Sequence, residues 1–308
     1  MTGPTFTVIL PTCNRLGKLR RALASIEQQS LRDFELILVD DGSVDGTGEY
    51  LAGQQRSREF PNIPSLTVLR NKSSKGAGLA RNRALTRAQG ELIAFLDDDD
   101  VWMPDYLERQ LARLQQHPEA GASCAAHIEC DENGGTHVPD LEQLFEYQQQ
   151  IVCLLTESFV HSMSVLVARR SVFEEIGPLN PKLQVCHDWD WCARLLSAGY
   201  SILTPVGPAV VKRQIPGGLV LRLRDWFEEE QTILEEAFRR DASVRAHRRH
   251  ILAYRNLLFA RIGFSRNQPG FASSRLSSAL LYAPLYSINL ARLKWVRSRQ
   301  RRNFHGTN

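Results

Sequence analysis

Four short, mostly apolar runs set the pattern of the N-terminal half, and each ends in a polar cluster. Phe6–Leu10 runs into Pro11-Thr12-Cys13-Asn14-Arg15, and Phe34–Val39 into Asp40-Asp41-Gly42-Ser43. Leu66–Leu69 is followed by Asn71-Lys72-Ser73-Ser74-Lys75-Gly76-Ala77-Gly78, and Leu92–Leu96 by Asp97-Asp98-Asp99-Asp100. Such runs, bounded by turn residues, have the length of buried strands. Between them lie stretches of helical period. Leu16, Leu19, Leu23 and Ile26 share one face, a short helix is predicted near Gly48–Ala52, and Gly78–Ala88 is rich in Ala, Leu and Arg. Pro104 then opens a helix carrying Leu107, Leu111 and Leu114. Strands alternating with helices predict an α/β fold with a mainly parallel sheet and flanking helices. In such a sheet all four clusters open onto one edge, where ligands bind.

Six carboxylates at that edge (Asp40, Asp41 and Asp97 to Asp100) are costly unless cations share the site. Hard oxygen donors suit Mg²⁺ or Mn²⁺, which commonly take one or two carboxylates together with substrate phosphates. Lys75 and Arg81 lie on the neighbouring loop and helix start, where a phosphate is favoured. Taken singly, a run of aspartates is more often a solvated turn, and Asp40-Asp41-Gly42 is a common turn. Their placement after successive strands is what points to a metal-held diphosphate. Rival acidic or phosphate motifs fail on spacing: an EF-hand loop from Asp41 would need Glu where Ala52 stands, and no P-loop Gly-Lys-Ser/Thr occurs.

The second half is less regular. Residues 129–160 read as loop and short helix, Ser164–Ala168 as a strand, Asp188–Ala198 as a helix stopped by Gly199, and Ile202–Val211 as one strand with turn residues inside it. After Gly217-Gly218 the chain reads as helices. Asp188 stands at its helix start, where a carboxylate caps or is favoured by the dipole. Trp189 and Trp191 beside it would form an apolar wall that raises its pKa, a setting for a general base.

Together these stretches resemble family 2 glycosyltransferases with the GT-A fold. The likeness rests on Val8 to Arg15, Asp33 to Thr47, Lys75-Gly76 through Ala80-Arg81-Asn82, Gly90 to Asp100, Ile176-Gly177-Pro178-Leu179 and Asp188-Trp189-Asp190. It implies a Rossmann-like sheet and a nucleoside-diphosphate sugar as donor. Asp41 would meet the nucleobase beside the Pro11-Thr12 turn, and Asp97 and Asp98 the ribose and diphosphate. Asp99 would hold Mn²⁺ or Mg²⁺, Lys75 and Arg81 would border the nucleotide, and Asp188 would deprotonate the acceptor hydroxyl. Transfer would proceed by one inverting displacement, moving a single sugar to a glycan or lipid-linked precursor in cell-surface polysaccharide synthesis. The chain departs from the family's usual pattern at Cys13, often aromatic, and at His187, where an acid commonly precedes the base. Lys212-Arg213-Gln214 also lacks a histidine that often adds a metal contact. A non-catalytic sugar-nucleotide-binding or scaffolding protein of the same fold is the alternative.

Charge divides the 308 residues unevenly. From Arg239 onward there are fifteen Lys or Arg and one acid, whereas the rest holds 23 basic and 33 acidic residues. The expected organisation is a donor-binding half over 1–128, an acceptor and base half over 129–215, and a basic helical extension over 216–308. Leu276–Ala291 is apolar and is followed by Arg292, Lys294, Trp295, Arg297, Arg299, Arg301 and Arg302. That order fits an anionic membrane surface, against the plainer reading of a packed helical domain with a solvated basic end. No nucleic acid is expected, because no reading motif is present. The N-terminus lacks a signal-peptide pattern, and six cysteines show no Cys-x-x-Cys pair. The expected location is cytoplasmic, with peripheral contact at the inner face of the membrane.

Overall fold

The apolar runs form β1 (Phe6–Thr12), β2 (Phe34–Asp40), β3 (Ser65–Arg70) and β4 (Leu92–Phe95). β1 pairs in parallel with both β2 and β4, and β2 with β3. Val8, Ile9, Leu10, Leu36, Leu38, Ile93 and Phe95 are all 0% exposed. Neighbours along a strand face opposite sides, so both faces of the sheet are covered. Truncating one of these side chains, Leu38→Ala for example, costs about 2–5 kcal/mol. The intervening helices are α1 (Leu16–Glu27), α2 (Thr47–Ser57), α3 (Ala77–Leu85) and α4 (Tyr106–Gln116). α1 buries Leu19, Ala22, Leu23 and Ile26. The face α4 buries is Tyr106, Leu107, Gln110 and Leu114, which leaves Leu111 half-buried at its margin.

The structure, a computed structural model, describes residues 3–57, 60–130, 136–137, 150–205, 207–213 and 222–283. These fall into two compact units, one within residues 1–145 and 159–219, the other within 146–158 and 220–308.

In the first unit the chain continues through β5 (Val101–Trp102), β6 (Ala122–Cys124), β7 (Ala126–Cys130) and β8 (Thr136–His137). After α5 (Gln150–Glu157), which belongs to the second unit, come β9 (Leu166–Arg169), α6 (Arg170–Ile176), α7 (His187–Ser197), β10 (Ile202–Leu203) and β11 (Pro208–Arg213). The main sheet has the order β10-β6-β9-β4-β1-β2-β3, with β9 antiparallel to β4 and β6. It is the mainly parallel α/β sheet the sequence predicts. A smaller sheet runs β5-β11-β7-β8. The single strand expected over Ile202–Val211 is two short strands in different sheets, because Pro205, Gly207 and Pro208 break the run. β6 and β7, separated by Ala125 alone, also join different sheets.

Among its described residues the second unit consists of α5 with α8 (Leu223–Arg240), α9 (Ala242–Ala246), α10 (Arg248–Ser265) and α11 (Pro269–Tyr282). Leu234, Phe238, Ile251, Phe259, Ala272 and Ala279 form its core. A buried ion pair, Arg255 Nε to Glu230 Oε2 at 2.8 Å, joins α10 to α8. α11 packs closely on α10 because a Cβ at Gly263 would stand 3.1 Å from that of Ala272. On the outer side of α11, Leu276, Leu280, Leu281 and Tyr282 are exposed. Among the described residues no helix is long and apolar enough to cross a membrane. The basic run 292–302 lies outside them.

Candidate active site

The site lies where the strand order reverses. From β1 the chain moves outward to β2 and β3, then returns to β4 on the other side of β1, leaving a crevice beyond the carboxyl ends of β1 and β4. Thr12, the last residue of β1, donates its hydroxyl to Asp98 Oδ2 at 2.7 Å. Arg15 Nη1 reaches Asp98 Oδ1 at 3.1 Å and Asp99 Oδ2 at 2.8 Å. The end of β1 is thus bound to the loop that follows β4. Pro11 lies beyond the last β1–β4 pair, Ile9 with Phe95, so its missing N–H interrupts no ladder on that side.

Asp41 organises the next loop. Its Oδ1 accepts from Asn71 Nδ2 at 2.6 Å, and its Oδ2 from Ser74 Oγ (2.8 Å) and from the backbone N–H groups of Lys75 (2.8 Å) and Gly76 (2.9 Å). Burial raises its pKa, but these donors outweigh that and hold it below the usual carboxylate value. Gly42 has φ +80°, and a Cβ there would stand 2.7 Å from Ser73 Cα; only glycine lets the loop lie this close. The loop delivers the chain to α3 with the Lys75 side chain exposed and Arg81 buried.

The aspartates after β4 take separate roles. Carboxylate oxygens of Asp97, Asp99 and Asp100 all lie within 4.8 Å of one another, whereas Asp98 is committed to Thr12 and Arg15. Each of the three meets a cation from a different part of the chain: Arg81 for Asp97, Arg15, shared with Asp98, for Asp99, and Lys212 for Asp100 at 3.4 Å. Register explains the last. β11 pairs antiparallel with β5 through Val211 and Val101, which sets Lys212 beside Asp100. Burial pushes Asp98 up to about 6 and Asp100 up to about 7. Asp99 rises through burial and the nearby Asp97, while Asp97 itself is held low, its burial outweighed by the Arg81 charge. Lys212 stays charged: burial disfavours its ammonium, but Asp100, Asp97 and Asp99 more than compensate. Hard oxygens this close, two of them resisting ionisation, form a donor set that fits Mg²⁺ or Mn²⁺.

Asp188 lies in the first turn of α7, half-buried, and does not cap the helix; its Oδ1 accepts from the Trp189 N–H at 2.7 Å. Burial raises its pKa, and it feels the charges of Arg81, Asp97 and Lys212. Both neighbouring tryptophans, Trp189 and Trp191, are buried. Trp191 is fully buried, stacked on Phe173 with ring centroids 4.2 Å apart, and its Nε1 donates to Gly177 O at 3.2 Å. Arg194 donates to Ile176 O and Pro178 O, both at 2.7 Å. The Ile176–Leu179 and Asp188–Asp190 stretches are therefore one bonded unit. α3 holds that unit through Asn82, which donates to Leu179 O at 2.7 Å and accepts from Leu179 N at 3.0 Å.

The structure thus gathers Thr12, Asp97, Asp98, Asp99, Arg81 and Asp188 in one region, with Asp41 and the Lys75 loop that it holds beside it. Sequence reading left Arg15, Asp100, Asn82 and Lys212 without roles. Arg15 and Asn82 lie inside stretches it had singled out, and Asp100 inside the acidic run. Lys212 lies in the segment noted only for its missing histidine, and its pairing with Asp100 depends on strand register.

A mainly parallel α/β sheet with an acidic loop and a helix-borne carboxylate at its switch point defines an open α/β protein with a ligand site at the carboxyl ends of its strands. The sequence profile described as glycosyl transferase family 2 matches residues 7–177, and the chain belongs to that family. An uncharacterized glycosyltransferase of Haemophilus influenzae is 30% identical over 62% of this chain and 61% of its own length. The putative teichuronic acid biosynthesis glycosyltransferase TuaG of Bacillus subtilis is 38% identical over 40% of this chain and 44% of its own. A PGL/p-HBAD biosynthesis glycosyltransferase of Mycobacterium bovis is 31% identical over 64% and 72%. The chain therefore spans under two thirds of the first two. In fold it is similar to the mannosyltransferase PcManGT of Pyrobaculum calidifontis, solved with GDP-Man and Mn²⁺ (TM-score 0.65, 20% identity, 97% of this chain and 83% of that one). It is also similar to S. aureus TarS 1-349 with UDP-GlcNAc (TM-score 0.63, 20% identity, 91% and 82%).

Proposed function

We propose that this chain is an inverting glycosyltransferase that moves one sugar from a nucleoside-diphosphate sugar to an acceptor hydroxyl with the help of a divalent cation. The observation that carries the reading is the convergence of Asp97, Asp99 and Asp100 at the switch-point crevice, with Asp188 within electrostatic reach. Structural neighbours solved with GDP-Man and Mn²⁺ or with UDP-GlcNAc support the donor class. Relatives named for teichuronic acid and PGL/p-HBAD biosynthesis support a cell-surface glycan or lipid-linked acceptor.

Asp99, with Asp97 and Asp100, would hold Mn²⁺ or Mg²⁺, which when bound offsets the charge of the leaving diphosphate. Pro11, Thr12, Asp41, Asp97 and Asp98 would border the nucleotide, with Lys75 and Arg81 favouring its phosphates. Asp188 would accept the acceptor's proton while that oxygen bonds to the anomeric carbon and the bond to the diphosphate breaks, which inverts the centre. A positioned base of this kind contributes about 10²–10⁴-fold. The basic C-terminal run would hold the enzyme at an anionic membrane surface, on the cytoplasmic side.

The test is a panel of nucleotide sugars with Mn²⁺ or Mg²⁺, following nucleoside diphosphate release with and without acceptors. Release that requires both cation and acceptor is the expected result. Donor binding with no release on any acceptor would favour the non-catalytic alternative.

A further inference from the structure

Arg81 sends one guanidinium nitrogen to Asp97 and the other, Nη1, to His187 Nε2 at 2.6 Å. An arginine is protonated at every relevant pH and can only donate. His187 must therefore present a lone pair at Nε2, and its ring proton sits on Nδ1. The ring is 5% exposed, and its Nδ1 has no hydrogen-bond partner among the described residues. It packs against the start of α3, where a Cβ at Gly78 would stand 3.6 Å from its Cγ. Arg81 thus has one anionic and one neutral acceptor. A carboxylate at position 187 would give it two anionic ones and turn the neutral Arg81–Asp97 pair into a net negative charge at the crevice.

We propose that His187 is a positioning residue: its neutral Nε2 lone pair fixes Arg81 against Asp97 without adding a negative charge, so that the pair does not repel a diphosphate-bearing ligand. This rests on the donor reading above. Three forms of the full chain separate the possibilities: wild type, His187→Gln, which keeps a neutral acceptor, and His187→Glu, which adds a charge. Calorimetry would follow UDP and GDP, uridine and guanosine as phosphate-free references, and Mn²⁺ alone.

His187→Glu is expected to bind the diphosphate about tenfold or more weakly, with nucleoside binding unchanged, because the added negative charge repels the phosphates. The same variant is expected to bind Mn²⁺ more tightly, since Arg81 cannot offset two carboxylates. A folding defect would weaken both. His187→Gln is expected to stay within about threefold of wild type, less than one neutral hydrogen bond is worth. The proposal is overturned if His187→Glu shifts both ligands the same way or neither, or if His187→Gln loses as much as His187→Glu. Side-chain ¹⁵N NMR of wild-type His187 decides independently. The Nδ1–H tautomer is expected from pH 6 to 8, and an Nε2–H ring or an imidazolium would overturn the assignment. If wild type binds neither nucleotide, the donor reading fails while the tautomer still tests His187.

Discussion

Asn82 and Leu179 lie 97 residues apart in sequence, and the amide of one closes two hydrogen bonds on the backbone of the other. α3 therefore fixes the approach to α7 at one residue and, through the adjacent Arg81, its first residue His187. Asn82→Ala would free the Leu179 end of that unit and let Asp188 drift. A shift of about 1 Å in a reacting group can cost 10²-fold. Asn82→Ala is expected to lower kcat by about 10–10²-fold with little change in donor KM, measured by steady-state kinetics. An equal rise in KM would place Asn82 in donor binding instead.

Asp188 must be ionised to take a proton, and burial raises its pKa. As pH falls, the base is protonated and activity is lost. kcat/KM should therefore fall on the acid side, with a midpoint above that of an ordinary aspartate, about 3.9. Asp188→Asn should keep donor affinity while kcat drops by about 10²–10⁴-fold. A pH–rate profile of wild type and donor titration of the variant check both. Full turnover in Asp188→Asn would remove it from the role of base.

Asp41 tests how far the loop before α3 depends on one carboxylate. In Asp41→Asn, an amide nitrogen at either carboxylate position would face donors: Asn71 on one side, Ser74 and two backbone N–H groups on the other. Leaving such groups unsatisfied costs about 1–3 kcal/mol. For a domain of this size that is roughly 2–4 °C of Tm per kcal/mol. The variant should melt lower by thermal scan and bind nucleotide more weakly. Unchanged melting would mean that water replaces those bonds freely.

These variants also mark what the sequence made legible. The four strands were readable because burial on both faces leaves continuous apolar runs, and the acidic tips followed from strand direction. Asp188 was readable because it stands at a helix start beside aromatic residues. Lys212 was not: it neighbours Asp100 only because Val211 pairs with Val101, and register between strands 110 residues apart has no local signal. The partner of Trp191 was equally unreadable: its stacking on Phe173 joins α7 to α6 and has no local signal. The strand expected over Ile202–Val211 failed at Pro205 and Gly207, whose consequence depended on a second sheet.

The C-terminal extension gives the remaining prediction. α11 exposes Leu276, Leu280, Leu281 and Tyr282, the first two one helical turn apart. The sequence that follows carries Arg292, Lys294, Arg297, Arg299, Arg301 and Arg302. Each basic residue near an anionic bilayer is worth about 1 kcal/mol, an attraction that falls off within a Debye length. Vesicles containing anionic lipid should therefore co-sediment the full chain at low salt and release it as salt rises, while zwitterionic vesicles retain little. Removing residues 284–308 spares α11 and its contact with α10, and the melting temperature and donor binding of the truncated chain serve as controls for its fold. The truncated chain should lose vesicle binding by at least about tenfold, since the loss of two such residues already exceeds that factor. Equal retention on zwitterionic and anionic vesicles, or by the truncated chain, would mean that the basic run is a solvated end.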